Sequence, residues 1–373
     1  MADAAKYKIL HELGTGGMGK VYKGLLVGQS GFQRPIVIKQ LKTQDPHHVK
    51  LFVDEARRYA VLDHENIGRI FDFDDVDGEL CIILEHIDGW SLIEYLRRHR
   101  ELMRFPDVDL SVFIASRVCR ALQYVYERAH IVHRDISPSN IMMTREGTVK
   151  LIDFGIATRS GTRDSSITGK PSYMAPEMVV ELRADNRSDI FSLGTVLYEM
   201  LAGERLFPGR TTGEILEKVI GARIPSARTV NPTVPQSAAV IVHKALQRDP
   251  SMRYESAGEM GEACEHYLYD KGYGPTNLTL KHYVTTVFPE PELLLEVEAT
   301  ERFPQVATTV LPAGATAAPK GPDPSDGETM VAPLSSAYAR VVAARAATAI
   351  TEAGPTIPTE DAPPRKRKAP PRK

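Results

Sequence analysis

The sequence predicts an α+β protein in which a small β-rich lobe precedes a larger, mainly helical lobe. The chain has 373 residues, enough for two lobes and an extension. Residues 1–87 contain short β-type runs separated by glycine or acidic turns, whereas residues 88–289 show mainly helical periodicity. From residue 290 to residue 373, proline, alanine and threonine dominate, which predicts a disordered tail with a basic end.

One helical pattern, His48 to Leu62, interrupts the β-type runs of the first lobe, so this lobe is predicted to be a small sheet with one helix. In the second lobe, an extra amphipathic helix near 278–288 either packs on its own domain or presents a face to a partner. The predicted strands are Tyr7–Leu10, Val21–Leu26, Pro35–Gln40, Arg69–Phe73 and Leu80–Leu84. The other predicted helices are Ser91–His99, Leu110–Ala129, Asp189–Leu201, Thr212–Ile220, Pro235–Gln247 and one that starts near Ser256.

The bulk composition argues against several classes of protein. A net charge of −2 predicts neither a nucleic-acid nor a membrane partner. No window approaches the roughly 20 apolar residues of a membrane span, and the first residues lack the apolar run of a signal peptide. Cys81, Cys119 and Cys264 form no CxxC pair, which indicates a reducing compartment rather than disulfides or a zinc site. We therefore expect a cytoplasmic protein.

The segment His133–Asn140 (HRDISPSN), followed by Asp153–Gly155 (DFG), carries the most chemical information. It places a base candidate, an amide metal ligand and a second carboxylate within one short hairpin. Phosphoryl transfer from a Mg-nucleotide needs one group that orients the nucleophile and two that hold the metal. These two motifs therefore predict a phosphoryl-transfer site.

Two features nearer the N-terminus fit phosphate binding. The glycine-rich segment Gly14–Val21 (GTGGMGKV) lies between two predicted strands, whereas the same spacing in a dinucleotide site leads from strand into helix. Its glycines let backbone N–H groups approach phosphates; the alternative is a flexible hairpin. Lys39 ends an apolar strand, where a lysine is commonly a snorkelling terminus. Glu55, in the middle of the predicted helix, is placed to hold Lys39 toward the phosphates instead.

Together these motifs resemble those of the eukaryotic-like protein kinase family, most closely its bacterial serine/threonine branch. The resemblance runs from about Tyr7 to Tyr273, with the motifs in family order. It implies a bilobal protein kinase fold that uses ATP with Mg²⁺ or alternatively Mn²⁺. It also implies a serine/threonine protein kinase that phosphorylates proteins and autophosphorylates in its activation segment.

The resemblance implies roles for individual residues. Asp135 is the expected catalytic base, Asn140 and Asp153 are the expected metal ligands, and Lys39 with Glu55 is the expected phosphate-orienting ion pair. The expected nucleotide-binding residues are Gly14, Gly16 and Gly19 over the phosphates, Lys39, the adenine-contacting Val21, Val37 and Met142, the gatekeeper Leu84, and the backbone of Glu85 and Ile87. The expected structural contacts are an ion pair of Glu177 with Arg253 and a brace from Asp189 to the catalytic loop.

Two positions depart from the family pattern. Ser137 stands where serine/threonine members carry a lysine that contacts the γ-phosphate, and losing such a contact costs on the order of 10²- to 10³-fold in rate. Lys170, in Gly169–Tyr173 (GKPSY), stands where the family has a threonine that bonds the catalytic Asp. We infer a transposed charge, in which Lys170 reaches the γ-phosphate and Asp135. The alternative is a solvated Lys170 and a tolerated loss at Ser137.

Regulation is predicted in the activation segment and the tail. Arg134 before the catalytic Asp marks family members that are activated by a phosphate in this segment. In the tail, Thr308–Val310 and Thr329–Val331 are further candidates for autophosphorylation or for binding a phosphothreonine-reading partner, and the basic end, Arg365–Lys373, is commonly a solubility feature. The candidate phosphorylation sites in the activation segment are Thr162, Ser165, Ser166 and Thr168.

Two other functions stay open. A nucleotide-binding pseudokinase that signals through its surface and tail is the main alternative, because Ser137 removes the usual lysine. A small-molecule phosphotransferase is a more distant one, because the complete activation segment through Glu177 suits polypeptide substrates.

Overall fold

The structure is a computed structural model, and the chain divides into two units, Met1–Pro333 and Leu334–Lys373. The second unit lies outside the described residues. None of the described helices is long and apolar enough to cross a membrane. The structure describes residues 6–16, 19–41, 49–50, 52–53, 56–57, 60–154, 158–159, 166–270, 272–289 and 330–333.

A five-stranded antiparallel sheet, in the order β1-β2-β3-β5-β4, forms the first lobe and confirms the predicted strands. Because successive side chains of a strand point to opposite faces, Ile36 and Ile38 enter one apolar cluster while Lys39 faces the other way. Phe52 packs on the sheet with Leu41, and the described residues between 49 and 57 are helical. The strands are β1 Tyr7–Gly16, β2 Gly19–Val27, β3 Gln33–Leu41, β4 Ile70–Val76 and β5 Glu79–Glu85.

The second lobe is mainly helical, as predicted. Several of its helices start at a side-chain cap: Ser91 accepts from the backbone of Glu94 and Asp185 accepts from that of Ser188. The helices are α1 Leu92–Glu101, α2 Val108–Ala129, α3 Pro176–Val180, α4 Asn186–Ala202, α5 Thr212–Gly221, α6 Ala227–Val230, α7 Gln236–Ala245, α8 Ala257–Tyr269 and α9 Asn277–Val287. The short strands are β6 Gly89–Ser91, β7 Ile131–Val132, β8 Ile141–Thr144, β9 Val149–Leu151 and β10 Thr158–Arg159.

The extra helix α9 packs on its own lobe, which resolves the alternative that the sequence left open. Its residues Leu280 and Val284 are fully buried. The hydroxyl of Tyr283 lies 3.0 Å from Nε2 of the buried His99. Just beyond the helix, the Phe288 ring stacks on that of Trp90, with 4.8 Å between the ring centroids. The apolar face of α9 is therefore part of the core of the helical lobe.

Two short strands from distant parts of the sequence pair with each other. Ser166–Gly169 (β11) pairs antiparallel with Met330–Pro333 (β12), with Gly169 opposite Met330 and Ser166 opposite Pro333. The second of these segments falls in the region that the composition assigned to a disordered tail. Four described tail residues thus form regular structure against the helical lobe.

Candidate active site

The loop that carries Asp135 is held from beneath by Asp189, which lies near the start of α4. Its Oδ2 accepts the backbone N–H of His133 and its Oδ1 accepts that of Arg134, both at 2.8 Å. Arg134 has a positive φ of 72°, a conformation that a non-glycine residue keeps only when its surroundings fix it. Burial raises the pKa of Asp189 to about 7, while the two amide donors oppose that shift. The predicted brace is present.

Hydrogen bonds from two residues meet at the carboxylate of Asp135. Lys170 donates to it twice, through its backbone N to Oδ1 at 3.1 Å and through Nζ to Oδ2 at 3.0 Å. The side-chain amide of Asn140 donates to the same Oδ2 at 2.9 Å and to the Asp135 backbone oxygen at 2.8 Å. With donors on both oxygens, the orientation of this carboxylate is fixed by its neighbours.

Lys170 also reaches the position at which the family lysine is missing. Its Nζ lies 3.2 Å from Oγ of Ser137, and its side chain is only 15% exposed. Lys170 follows Gly169, whose φ of +119° suits glycine alone and lets the chain turn into the loop. The structure therefore brings together the two positions that depart from the family pattern, and Lys170 is not a solvated loop residue.

Lys39 and Asp153 meet across the two lobes. Nζ of Lys39 lies 2.9 Å from Oδ1 of Asp153. The Lys39 ammonium is the main reason that the pKa of Asp153 falls to about 2, although burial acts in the opposite direction. This carboxylate is therefore ionised at any working pH. Asp153 has a positive φ of 60°, and the next residue, Phe154, packs its ring 4.4 Å from that of His133 between centroids.

Asn140 and Asp153 are chemically suited to hold a divalent cation. Hard cations prefer carboxylate and amide oxygens. The Asn140 amide nitrogen is engaged with Asp135, which directs the amide oxygen Oδ1 away from that contact. Asp153 supplies an ionised carboxylate. Donor chemistry thus fits Mg²⁺, and the same oxygens would accept Mn²⁺.

Three of the residues expected around the adenine, Val21, Val37 and Leu84, lie on neighbouring strands of the first lobe. Val37 stands opposite Leu84 in the β3–β5 ladder, and Val21 stands opposite Lys39 in the β2–β3 ladder. Met142 lies on β8 of the other lobe. The Glu85 side chain is held by Lys150 at 3.0 Å, and Ile87 follows two residues later. Strand register therefore places Val21, Val37 and Leu84 on three adjacent strands, whereas Met142 belongs to the separate sheet β6-β8-β9.

The glycine-rich hairpin shows a steric role that the sequence did not indicate. Gly14 stands opposite Val21 and Gly16 opposite Gly19, so the hairpin turns between β1 and β2. A Cβ at Gly19 would collide with the carbonyl oxygen of Gln40 on β3, whereas a Cβ at Gly14 would meet nothing within 4 Å. Gly19 is thus required for strand packing, in addition to any role in phosphate binding.

The end of the activation segment is anchored by a buried ion pair. Arg253 and Glu177 make two parallel hydrogen bonds, Nη1 to Oε1 and Nη2 to Oε2, both at 2.7 Å. The Arg253 side chain is 0% exposed, and the hydroxyl of Ser188 donates to Oε1 of Glu177 at 2.7 Å. The predicted pair is present, and it ties α3 to α4 and to the loop after α7.

Sequence reasoning missed a second anchor of this segment. The hydroxyl of Tyr173 donates to Oε2 of Glu199 at 2.7 Å, and Arg100 approaches the other carboxylate oxygen at 3.1 Å. Glu199 is 1% exposed within α4. The available signal was an acidic residue inside the apolar run Val196–Leu201, since a carboxylate that is buried needs hydrogen-bond donors.

Some predicted site residues fall outside the described part of the chain. Glu55, the expected partner of Lys39, is one of them, and so are Thr162 and Ser165. The backbone of Ser166 and Thr168 lies on β11.

Fold and site together define a protein kinase. A five-stranded sheet lobe and a helical lobe meet at a candidate base, two candidate metal ligands and a lysine from the sheet. The family model of the protein kinase domain matches residues 7–268. The chain therefore belongs to the protein kinase family, a family of phosphotransferases, and the family predicted from the motifs is confirmed.

The particular relatives are bacterial. The chain is 36% identical over 264 residues to the serine/threonine-protein kinase PrkC of Bacillus subtilis, covering 69% of this chain and 40% of PrkC. It is 33% identical over 336 residues to the tyrosine-protein kinase MasK of Myxococcus xanthus, covering 85% of this chain and 51% of MasK. It is 31% identical over 272 residues to the serine/threonine-protein kinase PknA of Mycobacterium tuberculosis, covering 70% of this chain and 61% of PknA. The chain thus spans about two fifths to three fifths of these relatives.

Proposed function

We propose that this chain is an active, ATP-dependent serine/threonine protein kinase in which Lys170 replaces the missing catalytic-loop lysine. The observation that carries the proposal is the position of the Lys170 ammonium, 3.0 Å from Oδ2 of Asp135 and 3.2 Å from Oγ of Ser137. A cation at that point supplies positive charge where the transferred phosphoryl group would develop negative charge.

In this proposal Asp135 orients the substrate hydroxyl and takes up its proton. A base must lie within about 2.6–3.2 Å of the donor atom, so the direction of its oxygens matters more than their mean position. Contacts from Lys170 and Asn140 fix that direction before substrate arrives. Such preorganisation avoids rearrangement at the moment of transfer.

In the same proposal, Lys39, Asn140 and Asp153 bind the nucleotide and its metal ion. Lys39 presents an ammonium at the lobe junction, held 2.9 Å from Asp153. Asn140 and Asp153 would hold Mg²⁺ through their oxygens, and the bound ion supplies charge neutralisation of the phosphates. The glycine-rich hairpin offers backbone N–H groups to the same phosphates, with Gly19 packed too closely on Gln40 for any other residue.

Serine/threonine specificity is proposed from the activation segment. Residues 171–177 (PSYMAPE) follow the serine/threonine pattern, and two of the relatives named above are serine/threonine-protein kinases while one is a tyrosine-protein kinase. We propose protein substrates, the kinase itself among them, and a phosphothreonine-reading partner for the tail. The three cysteines are buried and free, which suits the reducing cytoplasm.

The alternative is a pseudokinase that binds nucleotide without transferring phosphate, which the serine at position 137 favours. Transfer of radiolabelled γ-phosphate from Mg-ATP, to the protein itself and to a generic basic protein, separates the two. We expect incorporation by the native protein and a loss of at least 10²-fold in Asp135→Asn, which keeps the size of the side chain but removes its proton-accepting charge. Binding of Mg-ATP with no incorporation by either protein would support the pseudokinase.

Autophosphorylation is expected within the activation segment. Arg134 is buried in the loop beside Asp135, and this burial lowers the pKa of its guanidinium to about 10 because it disfavours the cation. A phosphate nearby would offset that cost. Peptide mass spectrometry after incubation with Mg-ATP should find phosphate on Thr162, Ser165, Ser166 or Thr168, and none in Asp135→Asn. An active protein with all four hydroxyls unmodified would contradict this expectation.

A further inference from the structure

The strand β11 of the activation segment is an edge strand that ends immediately before Lys170. Among the described residues, β11 pairs only with β12, so these two strands form a sheet of their own. An edge strand presents a row of unpaired backbone N–H and C=O groups, which is a template for any extended segment. Here the template is occupied by Met330–Pro333 from the tail.

The register places the tail strand beside the catalytic base. Met330 stands opposite Gly169, and opposite residues of antiparallel strands lie about 4.5–5.5 Å apart between Cα atoms. Gly169 is followed by Lys170, whose backbone N and Nζ both contact Asp135. The pairing of β11 with the tail therefore ends at Gly169, one residue before Lys170, which contacts Asp135.

We propose that this edge is the docking site for extended segments, and that Met330–Pro333 occupies it in competition with protein substrates. The inference rests on the proposed kinase function, because a substrate hydroxyl must reach Asp135, and the edge ends one residue before Lys170, which contacts that carboxylate. A single edge cannot pair with two strands on the same side. The tail thus lowers the affinity for substrate without touching the nucleotide.

The sequence of the tail fits this role, although the same pattern at Thr285, Val287 and Pro289 ends the helix α9. The side chains at alternate positions of a strand share one face, so a Thr-x-Val-x-Pro pattern presents three side chains together. The tail contains this pattern twice. The two copies consist of Thr308, Val310 and Pro312 and of Thr329, Val331 and Pro333. The described strand is the second copy without its threonine, and the first copy is a second segment of matching pattern.

Attachment to the same chain allows a strand as short as Met330–Pro333 to compete for the edge. Four paired residues bind weakly on their own, but attachment to the same chain gives the segment an effective concentration on the order of mM. If the tail occupied the edge nine-tenths of the time, the apparent affinity for substrate would fall about tenfold. Release of the tail would reverse that change.

The test uses two double variants of the full chain. Of two successive residues in a strand, one directs its N–H to the partner, so Val331→Pro/Ala332→Pro removes a ladder donor whichever residue supplies it. Val341→Pro/Val342→Pro is the matched control, with two prolines in the same tail but outside the strand. Hydrogen exchange of the Ser166–Gly169 amides is the first measurement, and KM for a protein substrate is the second.

We expect faster exchange at Ser166–Gly169 and a KM lowered about tenfold in the first variant, with kcat, the KM for ATP and the control unchanged. Equal exchange in both variants and the native protein would overturn the docking. Faster exchange with an unchanged KM for substrate would overturn the competition. If no version transfers phosphate, the proposed function fails, and the exchange measurement still decides whether the tail docks.

Discussion

Replacing Lys170 by methionine is expected to lower kcat by about 10²- to 10³-fold. Methionine keeps the length and apolar stem of lysine but removes the ammonium that lies 3.0 Å from Asp135 and 3.2 Å from Ser137. A preorganised positive charge next to a transferring phosphoryl group is worth that much when the position is shielded from water, and this side chain is only 15% exposed. Single-turnover transfer from Mg-ATP measures the chemical step directly.

Two comparisons keep this result interpretable. Binding of Mg-ATP to Lys170→Met should stay within a few-fold of the native value, because Lys39, Asn140 and Asp153 are untouched. The exposed Lys281, which pairs with Glu146 at the surface, supplies the matched control as Lys281→Met, with an unchanged rate. A Lys170→Met protein that keeps more than half of the native rate would show that the charge at this position is not used.

The second large effect is on stability. Arg253→Met is expected to lower the free energy of unfolding by about 3–5 kcal/mol, since it leaves the Glu177 carboxylate buried without its cation. The Arg253 guanidinium also donates to the backbone oxygens of Gln247 at 2.6 Å and Arg187 at 2.9 Å, and these acceptors would lose a partner as well. Urea unfolding followed by circular dichroism measures the change through the midpoint and slope.

The same Lys281→Met variant serves as the control for stability. Its pair with Glu146 joins side chains that are 39% and 74% exposed, and exposed ion pairs contribute about 0–1 kcal/mol. A loss below about 1 kcal/mol in Arg253→Met would contradict the account of this pair as the anchor of the activation segment. Activity should fall together with stability in that variant, because α3 begins directly after the segment that carries Lys170.

Much of the fold followed from local patterns in the sequence. The predicted strand Pro35–Gln40 lies within β3, where Ile36 and Ile38 share one buried face, and the predicted helix Ser91–His99 overlaps α1, whose N-cap is Ser91. The meeting of Lys170 with Ser137 also followed from the sequence, because two departures at neighbouring family positions had to be explained together.

What the sequence could not predict depends on contacts between distant segments. The Tyr173 hydroxyl donates to Glu199, 26 residues away in the sequence, and neither residue by itself indicates which residue it will contact. The strand Met330–Pro333 has four residues, too few for periodicity to stand out in a segment rich in proline and alanine. The steric need for glycine at position 19 comes from Gln40 on the adjacent strand, whereas the motif alone suggested phosphate contact.

The exchange of two side chains tests the central claim most directly, namely that Lys170 performs the role of the missing lysine. The four proteins of the cycle are the native chain, Ser137→Lys, Lys170→Thr and the double variant, compared by single-turnover phosphoryl transfer. Lys170→Thr should lose about 10²-fold or more, and the double variant, which carries the family arrangement, should be at least tenfold faster than Lys170→Thr. A double variant no faster than Lys170→Thr, or a Lys170→Thr protein as fast as the native chain, would contradict the claim.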